Sequence, residues 1–299
     1  MPRPHVATRA QIDAFIERHR LPGSCRALIS DHYAPLASWL IGRRRPGEQT
    51  LLGINGAQGS GKSTLADFMA MALADNAGWT VAVMSIDDFY LTKSEREWLG
   101  ERVHPLLATR GVPGTHDLRL LDETLSALRE LRAGDTLRLP RFDKARDDRA
   151  APTGWPAVTG PVDLVILEGW CVGSRAQDGA ALAEPVNALE REHDNDGAWR
   201  RYVNEQLAGP YTELFMQLDQ LVLLQVPSFD VVYRWRLEQE EKLAARTHGD
   251  GIMDAQQIAD FIQHFERITR HNLATLPVLA DVVLELDEAH DCVATTFKS

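Results

Sequence analysis

The stretch LLGINGAQGSGKST, residues 51–64, contains the pattern that decides the fold of this chain. Its apolar beginning at residues 51–54 predicts a short buried strand, and apolar residues recur at helical spacing over residues 65–73. Between the strand and the helix lie three glycines, Gly56, Gly59 and Gly61. Because glycine has no Cβ, the backbone N–H groups of such a loop can approach an anion, and the helix N-terminus attracts negative charge. The stretch therefore predicts a phosphate-binding loop between a strand and a helix.

The same stretch fits the P-loop pattern G-x4-G-K-[ST] through Gly56, Gly61, Lys62 and Ser63. In this pattern the lysine contacts the β- and γ-phosphates of ATP, and the serine hydroxyl binds Mg²⁺. A glycine-rich turn that binds nothing is the alternative, but the strand, loop and helix all occur where the motif requires them. We predict that nine consecutive residues bind ATP: Gly56, Ala57, Gln58, Gly59, Ser60, Gly61, Lys62, Ser63 and Thr64.

The chain has 299 residues, of which 44% are hydrophobic and 25% are charged, as is ordinary for a soluble globular protein. This length suits one large α/β domain, with or without appendages. A formal net charge of -11 argues against a general nucleic-acid surface, because phosphate backbones require clustered Lys and Arg. The cysteines Cys25, Cys171 and Cys292 lack zinc-site spacing, and no run of about 18 apolar residues occurs. We therefore expect a soluble cytoplasmic protein with no membrane and no nucleic-acid partner.

Acidic residues follow two further predicted strands. Asp87 and Asp88 come directly after the apolar run at residues 79–86, and Glu168 follows the run at residues 162–167. Because ligands bind at the carboxyl ends of the strands of an open α/β sheet, these acids should face the same crevice as the P-loop. Glu168 and Asp87 are candidate Mg²⁺ ligands together with the serine of the P-loop. One aspartate of the pair could instead cap the helix that follows.

Cationic residues are concentrated in two polar segments, residues 93–117 and 137–149. The composition of residues 93–117 suits a substrate-side loop. For residues 137–149, solvated charge pairing is one interpretation, and a mobile loop that recognises an acidic or polyhydroxylated substrate is the other. The candidate substrate-binding residues are Arg110, His116, Arg141, Lys144 and Arg149. Arg236 lies on a charged helix predicted over residues 229–247, which is either a solvated face or a lid over the phosphates. Helical periodicity also predicts one helix over residues 199–218.

Several motifs together resemble the plant-type glycerate kinases, within the superfamily of phosphoribulokinase, uridine kinase and pantothenate kinase. They are NGAQGSGKST, SIDDFYLT, RGVPGTHD, LPRFDKARDDR, LVILEGW and VYRWRLEQEEKL, in this order. The similarity extends from about Leu51 to the C-terminus. It implies an enzyme that transfers the γ-phosphate of ATP to a hydroxyl of D-glycerate, a small anionic hydroxy acid.

The resemblance also implies roles for individual residues. Lys62 and Ser63 keep the roles given above, and Asp87 falls on the aspartate that accepts the proton of the substrate hydroxyl. Asp88 is its neighbour or a carboxylate on the metal side, and Glu168 lies near Mg²⁺. Arg236 falls in the segment that covers the phosphates. Lys62, Asp87, Asp88 and Arg236 are therefore the predicted catalytic residues.

The predicted fold is a P-loop NTPase-type three-layer α/β sandwich, with a mostly parallel sheet and helices on both faces. Residues 1–48 are predicted to form an N-terminal helical extension, and residues 49–299 a kinase domain. Within that domain we predict a substrate loop at about residues 93–150 and a lid helix at about residues 229–250.

Other functions remain open on the sequence alone. The chain could phosphorylate another small alcohol, such as pantothenate, a nucleoside or a sugar phosphate. It could also be a nucleotide-binding switch or accessory protein, although the acidic pair has no use in a binding module and no NKxD segment occurs. A nucleic-acid kinase conflicts with the acidic charge balance. The sequence makes no prediction of the oligomeric state.

Overall fold

The computed structural model of the chain describes residues 6–244 and 254–298. Its α-helices are α1 (Arg9–His19), α2 (Cys25–Leu28), α3 (Ala34–Arg43), α4 (Lys62–Ala77), α5 (Lys93–Arg102), α6 (Leu118–Glu130), α7 (Ala188–His193), α8 (Ala198–Gln206), α9 (Thr212–Phe215), α10 (Phe229–Ala244) and α11 (Ala255–Leu279). Its strands are β1 (Thr50–Gly56), β2 (Val81–Ser85), β3 (Thr136–Arg138), β4 (Phe142–Asp143), β5 (Asp148–Arg149), β6 (Ala157–Thr159), β7 (Leu164–Gly169), β8 (Gln220–Gln225), β9 (Val282–Leu286) and β10 (Cys292–Phe297). Residues 245–250 of the predicted lid lie outside the described residues.

Within the described residues, six strands form the main sheet in the order β10-β9-β8-β1-β7-β2. Every pairing is parallel except that of the edge strand β10 with β9. The central strand β1 leads into the P-loop, and its two neighbours are β7 and β8. Glu168 of β7 pairs in register with both Ile54 and Ser85, so the P-loop, the end of β7 and the end of β2 meet at one edge of the sheet.

Helices cover both faces of the sheet, and alternate strand residues explain why. Leu164 and Ile166 of β7 join one hydrophobic cluster, whereas Val165 and Leu167 join another. All four side chains are fully buried. A strand that is apolar on both faces requires a cover on each side, which is the usual condition of a parallel sheet. The predicted three-layer α/β sandwich is confirmed.

The N-terminal helices pack against the helix that follows the P-loop. The Phe15 ring meets Phe68 of α4 edge-on at 5.5 Å, and Tyr33 lies 5.8 Å from the same ring. Thr8 begins α1 through reciprocal hydrogen bonds with Gln11, which satisfy backbone N–H groups that a helix N-terminus leaves free. The predicted helical extension is therefore present, while its division from a kinase domain at residue 48 stays a prediction.

The structure differs from the sequence prediction in one helix, one strand and two strand pairings. The continuous helix predicted over residues 199–218 is wrong, because Gly209 has non-helical φ and ψ angles of -102° and -107°, and Pro210 has no N–H to donate. Strand β10 and the antiparallel pairings β3–β6 and β4–β5 were not predicted. Across the described part of the chain, no helix is long and apolar enough to cross a membrane.

Candidate active site

The P-loop has a backbone that only glycine fits at several positions. Gly59 and Gly61 have φ angles of +79° and +89°, a region that L side chains rarely adopt. A Cβ added at Gly56 would lie 2.5 Å from the Ser60 hydroxyl oxygen, and one at Gly59 would lie 3.2 Å from Cβ of Trp235. The glycines therefore keep the loop narrow, and Gly61 is the residue from which α4 begins.

Polar groups of this loop are arranged for an anion. The Ser60 hydroxyl is buried and has no hydrogen-bond partner among the described residues, so it can donate to a phosphate oxygen. Lys62 Nζ donates to the carbonyl of Ala57 at 3.0 Å. Burial lowers the pKa of Lys62, and the nearby carboxylates of Glu168 and Asp87 oppose that shift. These features fit the triphosphate of a nucleotide.

The P-loop serine faces the acid at the end of β7. The Ser63 hydroxyl donates to Glu168 Oε1 at 2.8 Å. Glu168 is buried, and that burial raises the pKa of its carboxyl group despite the attraction of Lys62. The described residues contain no group of three or more His, Cys, Asp or Glu side chains that could hold a metal ion by themselves. This oxygen pair nevertheless fits Mg²⁺, because Mg²⁺ usually binds one or two protein oxygens together with phosphates and water.

Asp87 lies just beyond β2, in a one-turn 3₁₀ helix at Ile86–Phe89. The Tyr90 hydroxyl donates to its Oδ1 at 2.8 Å, and Lys144 Nζ donates to its Oδ2 at 3.0 Å. Burial alone would raise the pKa of the Asp87 carboxyl, but the Lys144 ammonium and the Tyr90 hydroxyl hold that pKa below its ordinary value. The carboxylate is therefore ionised at neutral pH.

These groups line one open cavity of about 370 Å³. The predicted residues that line it are Gln58, Gly59, Lys62, Ser63, Asp87, Arg110, Lys144, Glu168 and Arg236. The lining therefore includes P-loop residues together with Asp87 and the two cations Arg110 and Lys144. A cavity of this size, with a few convergent polar groups, can hold a small molecule beside the phosphates.

Comparisons with known proteins agree with this geometry, although no protein-family model matches the chain. An uncharacterised kinase of Schizosaccharomyces pombe is 36% identical over 226 residues, which are 73% of this chain and 79% of that protein. The chloroplastic D-glycerate 3-kinase of Arabidopsis thaliana is 32% identical over 233 residues, or 76% of this chain and 48% of that protein. A solved D-glycerate 3-kinase of Cryptococcus neoformans has a TM-score of 0.72 at 26% identity, covering 91% of this chain and 99% of that one. This chain belongs to the glycerate kinase family.

As a member of this kinase family, the protein is an ATP-dependent phosphotransferase that acts on a hydroxyl group. The matched region spans about half of the length of the Arabidopsis relative. The P-loop, the acids at the strand ends and the cations that line the cavity are the parts such an enzyme requires, because phosphoryl transfer depends mainly on positioning and on charge stabilisation.

Four of the predicted catalytic and substrate-binding residues of this kinase, Asp88, His116, Arg141 and Arg149, are not among the described residues that line the cavity. Asp88 Oδ2 accepts hydrogen bonds from the Ser85 N–H at 3.2 Å and from Arg141 at 3.1 Å. Arg149 donates to Asp117 at 2.7 Å. Ion pairs and a turn cap thus engage Asp88, Arg141 and Arg149 beside the site, and the predicted catalytic or substrate contacts of all four residues stay predictions.

His116 lies behind Tyr90 in the interior. Its ring stacks on Tyr90 with centroids 4.6 Å apart, and its Nδ1 lies 2.6 Å from the Tyr211 hydroxyl. Burial lowers the pKa of His116 to about 4, against a smaller opposing effect of Asp87. The imidazole is therefore neutral at pH 7 and forms part of the wall that supports Tyr90.

The helix α10 brings Arg236 to the cavity of this kinase. The preceding residue, Trp235, donates through its indole N–H to the Glu288 carbonyl at 3.1 Å and stacks on His290 at 3.7 Å. These contacts fix α10 to the turn after β9, close to Gly59 of the P-loop. Whether Arg236 acts on the phosphates stays a prediction.

Sequence reasoning missed the remaining lining residues, Ser85, Tyr90, Gly169, Trp170, Phe261 and Phe265. Trp170 donates to the Gly111 carbonyl at 3.0 Å and meets Phe265 edge-on at 4.9 Å. The sequence carried one usable signal, since Trp170 follows Glu168 and Gly169 at the end of a buried strand. No signal in the sequence marked Phe261 and Phe265 as cavity residues, because they look like part of the apolar stripe of α11.

Proposed function

We propose that this protein phosphorylates D-glycerate with Mg²⁺-ATP. The observation that carries the proposal is the position of Asp87, which shares a cavity with Lys62 and receives hydrogen bonds from Lys144 and Tyr90. The glycerate kinase relatives support the choice of acceptor, because two of them are named for that activity.

At the acceptor end, Arg110 and Lys144 line the same cavity as Asp87, and Lys144 donates to Asp87 Oδ2 at 3.0 Å. A guanidinium and an ammonium can together hold the carboxylate of a small hydroxy acid. The hydroxyl of such an acid would then lie beside Asp87, whose oxygens each keep a second lone pair for its proton. A carboxylate bound to Lys144 would also share the positive charge that lowers the pKa of Asp87, which would make Asp87 a stronger base.

At the nucleotide end, we assign Ser63 and Glu168 to Mg²⁺, since both offer oxygen atoms 2.8 Å apart beside the P-loop. When bound, the metal ion would neutralise charge on the phosphates. Lys62 and the N-terminus of α4 would hold the transferred group, and Arg236 would add a cation from α10. Asp87 is assigned as the base instead of as a metal ligand, because the Lys144 ammonium, 3.0 Å from its Oδ2, already supplies a positive charge there.

We also propose a cytoplasmic location and the absence of a nucleic-acid partner. Three free thiols and the net charge of -11 support these two proposals.

The test is ADP release with Mg²⁺-ATP against D-glycerate, L-glycerate, pantothenate, uridine, ribulose 5-phosphate and no acceptor. We expect stimulation by D-glycerate and none after Mg²⁺ is removed with a chelator. The Lys62→Ala variant is the matched control, and it should abolish turnover because a phosphate contact is lost. Stimulation by another acceptor instead would replace D-glycerate as the substrate. No stimulation by any acceptor, with ATP still bound, would favour a nucleotide-dependent switch.

A further inference from the structure

A fully buried arginine joins three segments of the acceptor side. The Arg96 side chain of α5 is only 1% exposed. Its guanidinium donates to the carbonyls of Leu91 at 3.2 Å, Ala108 at 3.0 Å and Asp147 at 2.7 Å. It also pairs with the Asp147 carboxylate at 3.0 Å. A buried guanidinium needs this many acceptors, because a charge without partners is costly in the interior.

Asp147 links this buried cation to a cation of the active site. Its Oδ2 pairs with Arg96, and its Oδ1 accepts a hydrogen bond from Arg110, which lines the cavity. Burial opposes ionisation of Asp147, but both arginines together hold its pKa below the ordinary value. Asp147 also has a φ angle of +55°, an unusual conformation for a residue with a side chain. Its position is therefore fixed by the contacts around it.

The same turn carries the second cavity cation. Residues 144–147 connect β4 and β5, and Lys144 of this turn pairs with Asp87 at 3.0 Å. Beneath the turn, the buried Phe142 ring lies 5.8 Å from the guanidinium carbon of Arg96 and 5.6 Å from that of Arg110. The contacts of Arg96, Phe142 and Asp147 thus fix the turn that bears Lys144 and the side chain of Arg110.

We propose that Asp147, held by Arg96, is a positioning residue that sets the spacing of Arg110 and Lys144 and so determines affinity for an anionic acceptor. Asp147 does not line the cavity itself, and it acts through Arg110 and through the turn. The inference rests on the proposed function, because it assumes an acceptor with a carboxylate or phosphate near these cations. Carboxylate recognition by two fixed cations depends on their geometry, and a displacement of about 1 Å can cost about a hundredfold in rate.

The test is a double-mutant cycle on the acceptor KM with Asp147→Asn, Arg110→Gln and the double variant. Asparagine tolerates a positive φ and keeps the shape of the side chain, which limits the damage to the fold. Asp147→Asn should raise the acceptor KM about tenfold or more while the KM for ATP is unchanged. In the Arg110→Gln background the same substitution should have much less effect, and Asp147→Glu should restore part of the affinity. Fully additive effects, or equal changes in both KM values, would overturn the proposal.

Two control variants distinguish an effect on the acceptor site from a loss of folding, and the turnover of the wild type tests the proposed function separately. Glu123→Gln removes a carboxylate from an exposed ion pair with Arg119 and should leave both KM values unchanged. If Asp147→Asn unfolds at the assay temperature, Arg96→Lys keeps the buried charge and should show the same selective rise. If the wild type turns over normally but Asp147→Asn leaves the acceptor KM unchanged in both backgrounds, this inference alone is overturned. Absence of turnover by the wild type with every acceptor would overturn the proposed function and this inference with it.

Discussion

Asp87 and Asp88 are neighbours in sequence with different surroundings. Asp87 faces the cavity, where Lys144 and Tyr90 hold it ionised. Burial raises the pKa of Asp88, whose carboxylate caps the turn after β2 and pairs with Arg141. The 3₁₀ turn at Ile86–Phe89 explains the difference, because consecutive side chains of such a turn point in different directions.

Replacing Asp87 by asparagine is expected to lower kcat by about a hundredfold to ten-thousandfold, since the amide cannot accept the hydroxyl proton. ATP affinity should change little, because the P-loop and Glu168 are untouched. The measurement is kcat by ADP release, together with ATP binding by calorimetry. Asp88→Asn is the matched control and should lower kcat much less. A larger loss in the Asp88 variant than in the Asp87 variant would reverse the assignment of the base.

At the scale of elements, a buried ion pair ties the segment around α7 to α11. Arg267 of α11 pairs with Glu190 of α7 at 2.6 Å, and their side chains are 8% and 0% exposed. Arg267 also donates to the carbonyls of Ala181 and Glu184. The same helix carries Phe265 into the cavity wall, so the pair contributes to the shape of the site.

Arg267→Met is expected to lower the free energy of unfolding by about 3–5 kcal/mol, because it leaves the Glu190 carboxylate buried without a counter-charge. Urea denaturation at pH 7 measures this change. The matched control is Arg119→Met on α6, where the side chains of Arg119 and its partner Glu123 are 87% and 58% exposed. It should lower the free energy of unfolding far less. Equal losses in the two variants would show that the burial of the pair adds nothing.

The elements that the sequence predicted well are those set by local pattern. The apolar runs that became β1, β7 and β8 are continuous, and turn or acidic residues end each of them. By contrast, β4 and β5 have two residues each within a run of charges, so no periodicity could reveal them. That hairpin depends on Arg96, which lies 51 positions before Asp147 and contacts it only in the folded chain.

For the whole molecule, topology made part of the site predictable. Since β1 lies between β7 and β8 in a parallel sheet, the P-loop and Glu168 had to meet at one edge. Which of the five candidate substrate-binding residues reach the cavity was not predictable. Arg141 and Arg149 pair with Asp88 and Asp117, whereas Lys144 and Arg110 reach the cavity, and these partners depend on three-dimensional packing.

The buried His116 makes the stability of the fold depend on pH. Its pKa of about 4 lies below the ordinary value of 6.5, so between these pH values the unfolded chain binds a proton that the folded chain excludes. The free energy of unfolding should therefore fall as the pH decreases from about 6.5 to about 4, with this residue costing about 2 kcal/mol between pH 7 and pH 5. His116→Phe keeps an aromatic ring against Tyr90 but cannot be protonated. Urea denaturation measures the free energy of unfolding at pH 7 and at pH 5, and its fall between them should be about 2 kcal/mol smaller in His116→Phe than in the wild type. An identical fall in the two proteins would contradict the assignment of a buried neutral imidazole.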